Sequence, residues 1–388
     1  MIAYNKTGMD NLYTQNRLED ACRANCISVD ELENCKKNFP VSFYTPNFLI
    51  RVGLFLLTVI IASFALGFFG LLVTAGGNTE AFRLLPIFFG IASYVLLEVF
   101  VKRYHYESGV DDALLWLSAV FIFVGINSLL PHISSLANAL LIFVIASYLS
   151  LRFVDTAMSV VACLALLAVF FFAYIRFGDF AKATASFLIM TIAGLIYFIS
   201  NKSKRQYEFR YYADCLLLIE ITSLVCFYVA ANYYAVRETS NAMFQLGLKE
   251  GEGIPMGWIF WILTVLIPVI YIVRGIQKHD MVLLRTGLIL TAVTIFTLRH
   301  YYHILSTEGA MVLGGSVMII LAYLLIRYLK KPKHAFTSDE VSGFGQMGKL
   351  QIESLVIAEI ASVQQQPVPT HTRFGGGSGG GGGAGGNF

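Results

Sequence analysis

Ten long apolar runs, parted by short polar stretches, constrain this 388-residue chain more than any other feature. Crossing the hydrocarbon core of a bilayer takes about 20 mostly apolar residues in helical form. Runs that meet or approach this length begin near Phe48, Leu84, Ala113, Ser134, Thr156, Ala183, Ala213, Met256, Met281 and Gly309. Backbone groups in lipid must bond to one another, so each run is predicted to be a helix. The expected fold class is therefore an all-α integral membrane protein, a bundle of about ten transmembrane helices. Charged residues make up only 14% of the chain, against about 25% in soluble domains, too few to coat a water-soluble surface. The net charge of +3 is too small to imply a nucleic-acid partner. The expected partner is the lipid bilayer.

Loop charge suggests an orientation. With the N-terminus inside, inner flanks carry Lys36, Lys37, Arg51, Lys102, Arg103, Arg152, Lys202, Lys204, Arg205 and Arg210. They also carry Arg274, Lys278, Arg285, Arg327, Lys330, Lys331 and Lys333, seventeen in all. The opposite flanks carry six: Arg83, Arg176, Lys182, Arg237, Lys249 and Arg299. This bias predicts both termini in the cytoplasm, provided that the helix count is even. Trp258 and Trp261 open the eighth run at the predicted outer interface.

Three parts are expected: a cytoplasmic N-terminal helical segment (1–47), a polytopic bundle (48–331) and a cytoplasmic tail (332–388). The first reads as two short helices, Met9 to Asn25 and Val29 to Asn38. Ser28 and Glu31 form a capping box ahead of the second, and Phe39-Pro40 ends it. The segment is too small for a full core of its own, which predicts docking on the membrane surface or on a partner. In the tail, Leu350 to Val363 is amphipathic and suits an interface or a partner's groove. A glycine tract from Gly375 to Gly386, broken by Ser378 and Ala384, reads as a flexible tether. Cys22, Cys26 and Cys35 match no usual zinc spacing, so reduced thiols are expected. The junction Arg103-Tyr104 with Asp112-Ala113-Leu114-Leu115 is echoed by Arg210-Tyr211 with Asp214-Cys215-Leu216-Leu217. A parallel four-helix repeat would explain the echo, as would chance recurrence of such junctions.

An ionisable residue inside a spanning helix is expensive and points to function. Glu220, within Leu216-Leu217-Leu218-Ile219-Glu220-Ile221, is the leading candidate for a proton or ion site. The competing reading is a protonated or paired carboxyl that locks two helices together. Glu98 is expected to snorkel to the inner interface with Lys102 as its i,i+4 partner. Asp111, Asp112, Asp155 and Asp214 stand at inner helix mouths, where an acid in the first turn meets the helix dipole favourably. They would form a cation-attracting vestibule only if they converge. His300 and His303 could share a helical face toward a metal, but no third ligand besides Glu308 is evident, and an interfacial belt is the simpler reading. Pro86, Pro268 and Gly314-Gly315 mark runs where helices could break, as transporter sites often require. No Walker A loop, nucleophile elbow or CxxC pair is present, and no cofactor is expected.

Ile27-Ser28-Val29-Asp30-Glu31-Leu32 ahead of the first run and Gly109-Val110-Asp111-Asp112-Ala113-Leu114-Leu115 resemble a group of bacterial polytopic membrane proteins. Those begin with a short helical cytoplasmic segment followed at once by many spans. The ending from Phe374-Gly375-Gly376-Gly377-Ser378 to Asn387-Phe388 is similar to glycine-rich tails of other bacterial envelope proteins. The resemblance implies a bacterial inner membrane and no defined activity, so no functional residue is carried over. Two functional readings follow. One is a membrane-embedded binder or carrier of a small solute or ion, centred on Glu220, with a polar outer loop from Arg237 to Pro255 that could gate access. The other is a non-catalytic scaffold or sensor recruiting partners through its N-terminal helices and C-terminal tail. A lipid-modifying enzyme ranks third, because no nucleophile, base or metal constellation stands out.

Overall fold

The computed structural model describes residues 2–302 except 24–25, 42, 45, 78, 104, 131, 245–253 and 255, with scattered positions from 309 to 327. The chain divides into two units, Met1–Val341 and Ser342–Phe388, and every described residue belongs to the first. The tenth run, the amphipathic stretch and the glycine tract thus lie wholly or mostly outside the described residues.

Two short helices, α1 (Lys6–Arg23) and α2 (Val29–Asn38), precede the bundle. The spans are α3 (Phe48–Ala75), α4 (Thr79–Lys102), α5 (Val110–Leu129), α6 (Ser135–Phe153) and α7 (Thr156–Tyr174), then α8 (Asp179–Lys204) and α9 (Ala213–Ala231). A shorter α10 (Tyr233–Phe244) leads to the last two spans, α11 (Gly257–Lys278) and α12 (Met281–Tyr302). Among the described residues, nine helices are long and apolar enough to cross a membrane. The molecule is an all-α, multi-pass membrane bundle. Large apolar side chains such as Phe64, Leu71 and Phe198 lie exposed on its flanks, where water would be untenable and lipid is the fitting solvent.

Helix pairing recurs along the chain. The first and third spans lie side by side, the second packs along the third, and the fourth along the fifth. The fifth to ninth spans repeat that order, with the four-helix period of the sequence echo. Small residues set the closest approaches. A Cβ on Gly90 would meet the backbone of Ile122, one on Gly125 would meet Ile87, and one on Gly275 would meet Leu284.

The short connector between the fourth and fifth spans is a tight corner. α6 stops at Val154, a buried β-branched residue held at φ 55°, and Asp155 caps α7 by accepting a hydrogen bond from the Met158 N–H at 2.6 Å. The two prolines inside runs do not break them, since Pro86 and Pro268 sit within continuous α4 and α11. The break falls instead at Asn232, extended at φ −76°, ψ 126°, whose Oδ1 caps α10 by accepting from the Ala235 N–H at 3.2 Å. The expected outer loop from Arg237 is therefore helical as far as Phe244.

The capping box forms in both directions: the Ser28 N–H donates to Glu31 at 2.8 Å, and the Glu31 N–H donates to Ser28 Oγ at 3.3 Å. The N-terminal segment is held by its own bundle. It packs on the end of its own bundle, because that end offers the apolar and charged complement the short helices lack. Tyr4, Met9 and Phe43 join Leu97, Leu149, Phe153 and Met158 in one core. The rings of Tyr4 and Tyr106 meet edge-on with centroids 5.0 Å apart. Asp10 accepts from the Arg210 guanidinium at 2.8 Å and from the Tyr211 hydroxyl at 2.7 Å.

Candidate functional site

Within the second half of the bundle α9 is central, touching α7, α8, α10, α11 and α12. Its inward face carries Glu220, Ser223, Leu224, Tyr228 and Ala231, all buried, each of the last four lying a sum of threes and fours beyond Glu220. Glu220, Ser223 and Tyr228 have no exposed surface at all.

Asn201 and Lys204, one turn apart on the last turns of α8, reach the Glu220 carboxylate together. The Asn201 amide donates to Oε1 at 2.9 Å, and the Lys204 ammonium donates to Oε2 at 3.2 Å. The pair is lopsided: Glu220 is fully buried, whereas the Lys204 side chain is 33% exposed. Tyr197, one turn back on α8, lies within electrostatic reach of Glu220, Asp280 and Arg205. Asp280 opens α12, accepting from the Val282 N–H at 3.0 Å and the Leu283 N–H at 3.2 Å. The Glu220 carboxylate thus bridges α9 to α8.

About three turns further along α9 is a buried network without a charge. The Tyr228 and Thr294 hydroxyls are 2.9 Å apart, and the Asn232 amide donates to Tyr228 and to Thr297, each at 3.0 Å. Thr264 accepts from the Tyr233 N–H at 3.0 Å, and Thr294 donates to the Thr264 carbonyl at 3.1 Å. Sequence reasoning weighed only ionisable groups and missed this cluster. The available signals were the three-residue spacing of Thr294 and Thr297 and an asparagine directly after an apolar run.

Of the four inner-mouth aspartates, Asp111, Asp112 and Asp155 each have a local hydrogen-bond partner. Asp111 accepts from the Ser108 N–H and hydroxyl, both at 2.8 Å. Asp112 takes the Arg51 Nε at 2.7 Å while Glu107 takes Nη1 of the same guanidinium at 2.8 Å. Gly109 makes this approach feasible: it has φ 90°, and any Cβ there would run into the Arg51 carbonyl. Burial, then Asp111, Asp112, Asp155 and Glu107, hold the Tyr4 hydroxyl well above its usual pKa. Burial, then Glu107, Tyr4, Asp214 and Cys215, do the same for Tyr106. Asp214 itself is exposed in the first turn of α9.

Glu98 does not take Lys102 as its partner. It chelates Arg152 on α6 instead, with Nε at 2.9 Å and Nη2 at 3.1 Å, and accepts from the Tyr94 hydroxyl at 2.9 Å. The guanidinium fork matches both carboxylate oxygens, whereas Lys102 is exposed at the end of α4. The His300 side chain and all of His303 lie outside the described residues. Among the described residues no group of three or more His, Cys, Asp or Glu is placed to hold a metal ion. None of the cysteines forms a disulfide. Trp258 is exposed at the start of α11, whereas Trp261 stacks on Tyr233 at 4.6 Å.

The fold and these contacts define a class: a polytopic helical membrane protein whose central helix carries a fully buried, ion-paired carboxylate. Comparison with family models, with curated proteins and with solved structures gave no match to this chain.

Proposed function

We propose that the bundle binds or carries a small solute or ion, and that the Lys204–Glu220 pair is the ionisable element of its site. The observation that carries this reading is the asymmetry of the pair, with the Glu220 side chain at 0% exposure and the Lys204 side chain at 33%. A buried ion pair is poor evidence of stability, because desolvation offsets most of the attraction. Apolar residues would pack α8 against α9 at no loss, so a chargeable group between spans points to function. The break at Asn232 places a second polar centre on the same helix, and discontinuous helices frame many carrier sites. In this reading the protein sits in a bacterial inner membrane with residues 1–47 and 332–388 cytoplasmic, as the loop charges and the resemblance suggest.

The test is reconstitution of wild type and Glu220→Gln into proteoliposomes, with currents recorded on a solid-supported membrane across a panel of ions and small solutes. A signal present in wild type and lost in a folded Glu220→Gln variant supports the carrier. A panel in which the two never differ removes Glu220 as the active group. The scaffold reading is weakened on its N-terminal side, since α1 is engaged by Arg210 and Tyr211. Its remaining recruiting element is the C-terminal tail, and truncation after Lys333 with recovery of co-purifying proteins tests it.

A further inference from the structure

Resting on the carrier reading, we propose that the ligand of the Glu220 site is a monovalent cation, and that the Lys204 ammonium is its tethered stand-in. Lys204 is the final residue of α8, where a helix end frays most easily. Its ammonium makes a single contact of 3.2 Å with the carboxylate, and its side chain is partly in solvent. Lysine carries a compact, strongly hydrated charge on a flexible stem, and gives up a partner more readily than arginine does. The carboxylate has no such freedom. It is fully buried on the central helix, and Asn201 on α8 fixes its other oxygen at 2.9 Å.

When Lys204 swings out, Glu220 is left as a buried negative charge, and any small cation that enters relieves the desolvation. One carboxylate with one neutral amide balances a single positive charge. Asp280 Oδ1 accepts two backbone N–H bonds at the start of α12. Wild-type affinity is then lowered by the fraction of time that Lys204 occupies the site. If Lys204 is in place nine-tenths of the time, its removal tightens binding about tenfold.

The experiment titrates purified full-length protein with sodium, potassium, ammonium or methylammonium chloride at fixed pH. Ionic strength is held constant with N-methyl-D-glucamine chloride, and thermal unfolding is followed by intrinsic fluorescence. Lys204→Gln should respond to at least one cation with a midpoint about tenfold below wild type. Lys204→Arg, which can hold the carboxylate through two N–H groups, should raise the midpoint, and Glu220→Gln should show no saturable response. Equal midpoints in wild type, Lys204→Arg and Lys204→Gln would overturn the stand-in while leaving the carrier reading to its own transport test. A cation response that survives in Glu220→Gln would overturn both. Should Lys204→Gln not fold, the comparison of Lys204→Arg with wild type decides alone. Whichever salt acts at the lowest concentration tells an alkali ion from an amine.

Discussion

Glu98 on α4 and Arg152 on α6 are joined by two hydrogen bonds, at 2.9 and 3.1 Å, between residues 54 apart in sequence. Tyr94 donates a third bond to the same carboxylate and lies 2.7 Å from the Tyr148 hydroxyl. The cluster ties the second span to the fourth. Both charged side chains are less than a third exposed, so solvent screens the pair only in part. Arg152→Lys is expected to lose one charged hydrogen bond, or about 1.5–3 kcal/mol. Unfolding in mixed micelles at rising denaturing detergent measures this, and equal stability of the two proteins would show that the fork geometry adds nothing.

The clasp between Asp10 and Arg210 should respond to acid. Hydrogen bonds from the Arg210 and Tyr211 side chains are the leading causes that hold the Asp10 carboxyl below its usual range. A depressed folded value means that its contribution is present above the unfolded pKa, about 3.9, and is lost as pH falls through the lower value. Asp10→Asn should raise amide hydrogen exchange across Lys6–Arg23 at neutral pH while leaving α9 unchanged. Exchange indistinguishable from wild type would mean that the Tyr4 and Phe43 core alone holds the segment.

Asp155 has the opposite sign. Burial, ahead of the bond from the Met158 N–H, pushes its carboxyl above the usual range. The folded state therefore binds this proton more tightly than the unfolded chain does. The associated stability is complete below about pH 4 and is lost as pH rises through the raised value. Asparagine caps a helix as well as aspartate does. Asp155→Asn should thus gain on wild type with increasing pH and then level off, as followed by thermal melts across a pH series. Asp155→Ala, without a cap, should be less stable than Asp155→Asn by about 1 kcal/mol. A pH-independent gap between wild type and Asp155→Asn would contradict the assignment.

Asn232 holds three partners at the break between α9 and α10: the Tyr228 hydroxyl, the Thr297 hydroxyl and the Ala235 N–H. Asn232→Ala removes all three hydrogen bonds, each worth about 0.5–1.5 kcal/mol. The loss should exceed that of Tyr228→Phe, which removes a single hydroxyl. Near-equal melting of the two variants would indicate that the network relaxes around the gap.

Much of the architecture was legible because bilayer physics leaves few choices. A run of about 20 apolar residues has to be a helix in lipid, and nine such runs appear as helices among the described residues. The capping box at Ser28 and Glu31 was equally readable, since both partners lie within one turn. Glu220 stood out because a carboxylate among leucines has no cheap explanation.

What the chain could not announce is which distant groups meet. Local spacing offered Lys102 to Glu98, but the fold brought the Arg152 guanidinium on α6 onto both carboxylate oxygens. Prolines suggested breaks, yet Pro86 and Pro268 stay within continuous helices, while Asn232 turns the chain because Tyr228 and Thr297 satisfy its amide. The docking of α1 on Arg210 and the approach of Lys204 to Glu220 join residues on different helices. Periodicity and hydropathy report what one helix needs from its solvent. Only the packed bundle decides which charges share that solvent's absence.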